Sequence, residues 1–167
     1  MAGLSADRIV ETAYGLLVQY GLQDVSMRRI AGVLDVQPGA LYYHVPNKQE
    51  LLRLVAHRVL EPLSRSEAMP AALMSELRLT LLGLRDGGDL ALIVYSLDLG
   101  LPPVNALRSA FVRQGLPAEA AQRRSDILMR YALGSIAVEQ NAQLFDPDRR
   151  AQGASLYGEG VRLLLGD

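Results

Sequence analysis

Residues Ile30 to Leu52 read I-A-G-V-L-D-V-Q-P-G-A-L-Y-Y-H-V-P-N-K-Q-E-L-L, and this stretch decides the architecture. Just before it, Ser26 is placed to cap a short helix over Met27 to about Leu34, with Met27, Ile30, Ala31 and Leu34 at the i, i+3, i+4, i+7 spacing of one apolar face. Asp35-Val36 then turns the chain. Pro38 stands at the favoured first position of a second helix, which has room for about two turns before Val45-Pro46 stops it. Asn47, with Glu50 three residues later, makes a capping-box pattern that opens a third helix with Leu51, Leu52, Val55, Val59 and Leu60 inward. Two short helices about a tight turn, followed by a capped helix, form a helix-turn-helix pattern.

The neighbouring sequence completes this unit. Ser5 caps a preceding amphipathic helix with Ile9, Val10, Ala13, Leu16 and Leu17 on one face, and Gly21 is its natural left-handed stop. On the C-terminal side, Pro62 and Pro70 bracket a Ser-rich joint, after which Leu73, Leu77, Leu81 and Leu84 run at helical spacing up to a break at Asp86-Gly87-Gly88-Asp89. An apolar segment, Leu90 to Leu101, ends at Pro102-Pro103. A helix through Leu107 and Phe111, a long one from Pro117 to about Leu144, and a last one opened by Asp146-Pro147-Asp148 follow, with Leu156, Val161, Leu163, Leu164 and Leu165 as the apolar members of the last. Leu90 to Leu97 has the composition of a buried strand but no partner strand, so the chain reads as all-α.

Composition narrows the functional classes. The chain has 167 residues, half of them hydrophobic, and no cysteine, which removes disulfides, thiolate metal sites and cysteine nucleophiles. No leader pattern or membrane-length apolar run is present, so a cytoplasmic location is expected. With two histidines there is no H-E-x-x-H metal motif, and no Ser/His/Asp arrangement is supported. Gly153 to Gly158 has phosphate-loop glycine spacing but lacks the lysine. Neither an enzyme, a metal site nor a cofactor is expected. The net charge of -1 excludes binding by bulk positive charge. Residues 1–60 carry six cations (Arg8, Arg28, Arg29, Lys48, Arg53, Arg58) against five acids (Asp7, Glu11, Asp24, Asp35, Glu50), a margin of one, so any cations that meet a polyanion must be placed rather than plentiful. Arg28 and Arg29 sit in the first turn of a helix, where the macrodipole does not favour them.

Tyr42, Tyr43 and His44 are consecutive, about 100° apart on a helix, so at least two must be exposed. Exposed aromatics with polar tips beside Gly39 and Ala40 suit close approach to a nucleic-acid backbone or base edge. Ordinary surface around a buried Leu41 and one tyrosine is an equal alternative from these residues alone.

Over residues 5 to 60 the chain resembles the TetR family of bacterial transcription regulators, through Ser26, Arg28, Ile30, Ala31, Leu34, Val36, Gly39, Leu41, Tyr42, His44, Lys48 and Leu51. The resemblance implies that Ser26, Tyr42 and Lys48 contact phosphates, with His44 beside them, and that Arg28, Gln37, Pro38, Gly39, Ala40 and Tyr43 face the major groove of double-stranded DNA. Asp35 replaces the family's turn glycine, Gln37 its Ser or Thr cap, and Val45 its Phe. Arg85-Asp86-Gly87 followed by Gln114 to Ala121 is similar to the tetracycline-repressor type of C-terminal domain, although that repressor's magnesium-binding histidine falls on Ala91, which argues against a magnesium-tetracycline effector.

Three units are expected: a helix-turn-helix DNA-binding domain over 1–46, a linking helix over 47–65, and a helical effector-binding and dimerisation domain over 66–167. The implied function is a one-component regulator, in such a family most often a repressor, that binds an inverted-repeat operator as a homodimer and is released by a small apolar effector. Tyr95, Asp98, Asn105, Phe111, Arg108, Met129 and Arg130 are the candidate effector contacts; Tyr95, Asp98, Asn105, Arg108 and Arg130 fit an ordinary surface or helix-pairing residue better than an effector contact, and His57 reads as a solvated side chain. Gly134, Ala137, Gly153, Gly158 and Gly160 would let the last two helices approach a partner copy, or are simple helix weaknesses. A helical small-molecule-binding protein with a non-reading headpiece is the alternative.

Overall fold

A computed structural model describes residues 3–146 and 149–166; Pro147 and Asp148, expected to open the last helix, lie outside the described residues. The elements are α1 (Ala6–Tyr20), a 3-10 turn (Leu22–Asp24), α2 (Met27–Leu34), α3 (Pro38–Tyr42), α4 (Lys48–Ser64), α5 (Pro70–Leu82), α6 (Gly87–Leu97), α7 (Val104–Arg113), α8 (Ala118–Gln143) and α9 (Arg149–Leu165). No strand occurs among the described residues. The apolar Leu90–Leu97 segment is helical, because α6 buries Leu90, Ala91, Val94 and Tyr95 against α4, α5 and α8, while Leu92, Ile93 and Leu97 stay exposed.

Helix starts follow the capping residues. Ser5 accepts a hydrogen bond from the Arg8 amide, Ser26 from that of Arg29, and Asn47 from that of Glu50, each satisfying one amide that the first helical turn leaves open. The Asn47 capping box forms only in this direction. The Glu50 carboxylate does not reach back to Asn47; it turns to Arg53, one turn on, and accepts two hydrogen bonds at 2.8 and 2.7 Å. A charge-assisted bidentate pair is the stronger option. Pro62 does not end α4, which continues through Leu63 to Ser64; near a helix end the loss of a single amide donor is tolerated.

The Asp86-Gly87-Gly88-Asp89 break is confined to Asp86, which adopts a left-handed conformation (φ 54). Gly87 and Gly88 form the first turn of α6 and are required there by close approach. A Cβ on Gly87 would stand 2.3 Å from the Leu81 carbonyl oxygen, and one on Gly88 would stand 3.0 Å from Cα of Ala137 in α8. Gln140 of α8 stitches this corner, accepting from the Gly88 amide at 2.9 Å and donating to the Leu84 carbonyl at 2.8 Å. A buried ion pair, Arg78 of α5 with Glu139 of α8, also joins these layers. Tyr157 of α9 packs beside it and donates to the Met74 carbonyl at 2.7 Å; burial pushes its ionisation well above the usual tyrosine range.

One hydrophobic core runs from Ile9 in α1 to Val161 in α9. α4 is the element common to both ends, packing on α1 and also on α5, α6 and α7. Gly87→Ala is expected to lower stability by about 1–3 kcal/mol, since the Leu81 backbone has to move. Gly15→Ala, at an exposed position of α1 with open space around it, is expected to raise it by about 0.5–1 kcal/mol. Denaturant midpoints at constant slope check both.

Candidate nucleic-acid interface

The turn between α2 and α3 sets the geometry of this surface. Asp35 is left-handed (φ 53, ψ 49), with its amide bonded to Ala31 and Gly32, and the Val36 amide returns to the Ala31 carbonyl at 3.0 Å. That is the closure a glycine gives more easily; Asp accepts it at a cost of about 1 kcal/mol. Val45, in place of the family's larger aromatic, is fully buried, as is Leu41.

α3 is shorter than the two turns expected: five residues, with Tyr43 as its C-cap and His44 and Val45 held by amide bonds to the Leu41 carbonyl. Pro38 removes one donor, Gly39 disfavours helix, and the Gln37 side chain forms no cap bond, so little extends the helix beyond the pull of Leu41 into the core. As a result Tyr42, Tyr43 and His44 are all exposed, Tyr43 at 92%. Gln37, Pro38 and Gly39 are exposed with them, Ala40 partly so, and Arg28 and Lys48 are exposed at the starts of α2 and α4.

The cations divide cleanly. Arg29 pairs with Asp24 at 2.5 Å and lies 4.4 Å from the Tyr20 ring centroid, which ties α2 to the end of α1. Arg58 pairs with Glu11 and covers Tyr14. Arg53 is engaged by Glu50 and approaches Asp98 at 3.7 Å. Among the described residues Arg28 and Lys48 enter no ion pair or hydrogen bond through their side chains. This is the structural reason for one of the two adjacent arginines, and it leaves the other available.

The residues expected to contact an effector do not gather in one place. Phe111 and Met129 are fully buried core members, with Arg124 above the Phe111 ring. Tyr95 is buried on α6; burial and the neighbouring Asp126 carboxylate push its ionisation up, and its hydroxyl, although close to Asp126, makes no hydrogen bond of ordinary geometry. Arg108 is half-buried with its Nε likewise unpartnered. Arg130 is exposed and donates to the Asp126 carbonyl, and Asn105 is exposed. Asp98 instead caps the end of α6, accepts from the Gly100 amide at 2.8 Å and meets His57 of α4 at 2.8 Å. His57 is therefore paired as well as partly exposed, rather than merely solvated. Its partner lies 41 residues away, which no local pattern reveals.

The headpiece is tied to the body at a second point that sequence reasoning missed. Asp86 accepts a hydrogen bond from the Leu22 amide at 2.8 Å, and it fits there because Gly21 (φ 92) has no side chain; a Cβ would stand 2.5 Å from the carboxylate. Three small residues assigned to close approach by a second copy serve contacts within the chain: Gly153 lies against Glu139, Gly160 against Tyr131, and Ala137 against Gly88. Gly134 and Gly158 face open space.

Comparison with known proteins agrees with this geometry. The model of bacterial regulatory proteins of the tetR family matches residues 9–55. An HTH-type transcriptional regulator of Saccharopolyspora erythraea is 35% identical over 150 residues, which are 81% of this chain and 61% of that protein, so the chain spans less than two thirds of that relative's length. The class E tetracycline repressor protein of Escherichia coli is 27% identical over 84% of this chain and 71% of its own. The crystal structure of BioQ superposes with a TM-score of 0.84 at 30% identity, covering 99% of this chain and 98% of that one. BioQ with its double-stranded DNA operator gives 0.77 at 29% identity, covering 95% and 98%. The chain belongs to the TetR family of bacterial regulatory proteins. No helix among the described residues is long and apolar enough to cross a membrane.

Asp86→Ala is expected to speed hydrogen exchange at the Leu22 amide and to cost about 1 kcal/mol. Asp86→Asn keeps an acceptor oxygen and tolerates the left-handed conformation, so its exchange should stay near wild type.

Proposed function

We propose that the chain is a one-component transcriptional regulator that reads an inverted-repeat operator as a homodimer, acts as a repressor, and is released by a small, largely apolar effector. The observation that carries this reading is the exposed set Gln37, Pro38, Gly39, Tyr42, Tyr43 and His44, flanked by the unpaired Arg28 and Lys48, over a fully closed core. Aromatic and cationic side chains on a fold of this kind have no structural task there, and they match what phosphates and base edges offer. In this reading Ser26, Tyr42, His44 and Lys48 meet phosphates, while Arg28, Gln37, Pro38, Gly39, Ala40 and Tyr43 face the bases. The reading domain occupies residues 1–46, the linking helix 47–65, and the effector and dimerisation domain 66–167.

Dimerisation through α8 and α9 is supported by their exposed apolar side chains: Ile127, Val138, Leu156 and Leu163, with Val138 at 71% and Leu163 at 72%. A shallow apolar groove of about 250 Å³ between the two helices is lined by Val138, Ala142, Gly153, Leu156 and Tyr157. Effector response is supported by likeness to a tetracycline repressor and by the buried Tyr95 hydroxyl and Arg108 Nε, polar atoms that lack a hydrogen-bond partner.

Selection from a random duplex pool tests the reading function: a palindrome should be enriched. Enrichment of none would favour the alternative, a small-molecule-binding protein with a non-reading headpiece, for which the thin supply of free cations is the one supporting observation. On the selected duplex, Arg28→Ala should relax preference at one base position per half-site, whereas Lys48→Ala should weaken all sequences alike and reduce the salt slope by about one. Val138→Arg should convert the dimer to monomer in light scattering and abolish binding to the two-half-site duplex.

A further inference from the structure

The outer face of α6 has no task in the fold or on the reading surface. Leu92, Ile93 and Leu97 point away from the core and are between 43% and 54% exposed. From Leu90 to Leu97 the helix carries no charged side chain, and the exposed Ser96 gives its hydroxyl to the Ile93 carbonyl at 2.6 Å. Isolated exposed apolar side chains are ordinary, but three on adjacent turns of one uncharged helix make a patch. Two contacts fix how this face joins α8. Asn141 donates to Asp89 at 3.1 Å near the start of α6, and Tyr95, further along, lies beside Asp126. The two helices therefore run antiparallel, and Leu92 comes opposite the turn of α8 around Gly134, which has open space above it. Ile127, Gly134 and Val138 follow one another at i, i+7, i+11 along α8, a single stripe of a helix. Val138 in turn shares a groove with Leu156 of α9. One apolar surface thus runs from α6 across α8 to α9.

We propose that the outer face of α6 is covered by a second copy of this chain, as a third part of the homodimer interface beside α8 and α9. The inference rests on the homodimer reading above and extends it to a helix that reading leaves open. A second copy is the occupant the surface fits. A two-fold interface sets the same patch of both chains against itself, and a face with no charge between Leu90 and Leu97 is complementary to its own kind. It is also continuous with the apolar stripe on which the second copy is seated, so covering it needs no separate partner. α6 carries both polar ties to the headpiece, Asp86 before its first turn and Asp98 at its C-cap. A partner seated on α6 therefore rests on the helix to which the headpiece is fastened.

The test is the self-association constant of the full chain, measured by sedimentation equilibrium. Leu92→Arg and Ile93→Arg should each weaken the dimer about tenfold or more. Leu79→Arg makes the same change at an exposed apolar position of α5, in the groove that faces α1, and should leave the constant within about twofold. If both α6 variants keep the wild-type constant while Val138→Arg dissociates the dimer, the inference is overturned and the interface is α8 and α9 alone; a lipid surface or an unrelated protein as the occupant would give that same result. If the α6 variants dissociate and Val138→Arg does not, the inference stands and the seat on α8 and α9 falls. A wild-type chain that stays monomeric overturns the homodimer reading and the inference together. A second variant avoids placing a charge on the helix: Ile93→Cys, in a chain otherwise free of cysteine, keeps a small apolar side chain. Its alkylation by iodoacetamide should slow several-fold from dilute monomer to concentrated dimer, while Leu79→Cys reacts at one rate in both. Equal rates for Ile93→Cys would overturn the inference whatever the arginine variants do.

Discussion

α4 is shared by both halves of the molecule, and most of the architecture depends on that constraint. Its buried face, Leu51, Leu52, Val55, Ala56, Leu60 and Leu63, packs on α1 at one end of the core and on α5, α6 and α7 at the other. Close-packed interiors do not deform continuously, so the headpiece cannot reorient without changing how α4 sits on the body. Two polar ties reinforce this: Asp86 on the Leu22 amide and Asp98 on His57. Both use acids at the two ends of α6, before its first turn and at its C-cap. A displacement of α6 by anything bound in the body therefore acts on the headpiece through two separate points.

The reading surface is sparse by comparison. Three of the arginines near it stabilise the headpiece itself or its junction with the body, and Arg28 and Lys48 remain free on the exposed side. Under the proposed function, affinity built from so few cations has a shallow salt dependence, and recognition would fall to hydrogen bonding and apolar contact by Gln37, Pro38, Ala40 and Tyr43. The short α3 is consistent with that division: Pro38 and Gly39 bring backbone close to a partner, and Leu41 with Val45 anchors the segment from beneath.

What could be read from the sequence was what neighbouring residues encode. The caps at Ser5, Ser26 and Asn47, the exposure of at least two of Tyr42, Tyr43 and His44, and the helical character of the chain all follow from short-range spacing, whereas the turn at Asp35 was legible through the family resemblance and the exposure of all three side chains only in the structure. What could not be read depends on partners far apart in the chain. Gln140 caps a corner more than fifty residues away, and His57 meets Asp98 across 41 positions; polar pairs of this kind leave no periodic trace. Glu50 shows the limit from the other side, since its spacing fits both the capping box and the Arg53 pair, and only the relative strength of the two interactions decides. Gly153 and Gly160 stand where a helix interface needs small residues, but the sequence alone does not distinguish an interface within the chain from one between copies.

The claim that α4 carries the headpiece as one unit against the body can be measured directly, because a chain without cysteine accepts spin labels at chosen sites. Labels at Gln19 and Glu61 span α1 and α4; labels at Gln19 and Arg123 span headpiece and body, all at exposed positions. With labelled chain diluted into unlabelled partner, electron-electron distances are compared with and without the selected duplex. The expected result is an unchanged Gln19–Glu61 distance beside a shifted Gln19–Arg123 distance. A shift between Gln19 and Glu61, with the headpiece moving independently of α4, would contradict the account.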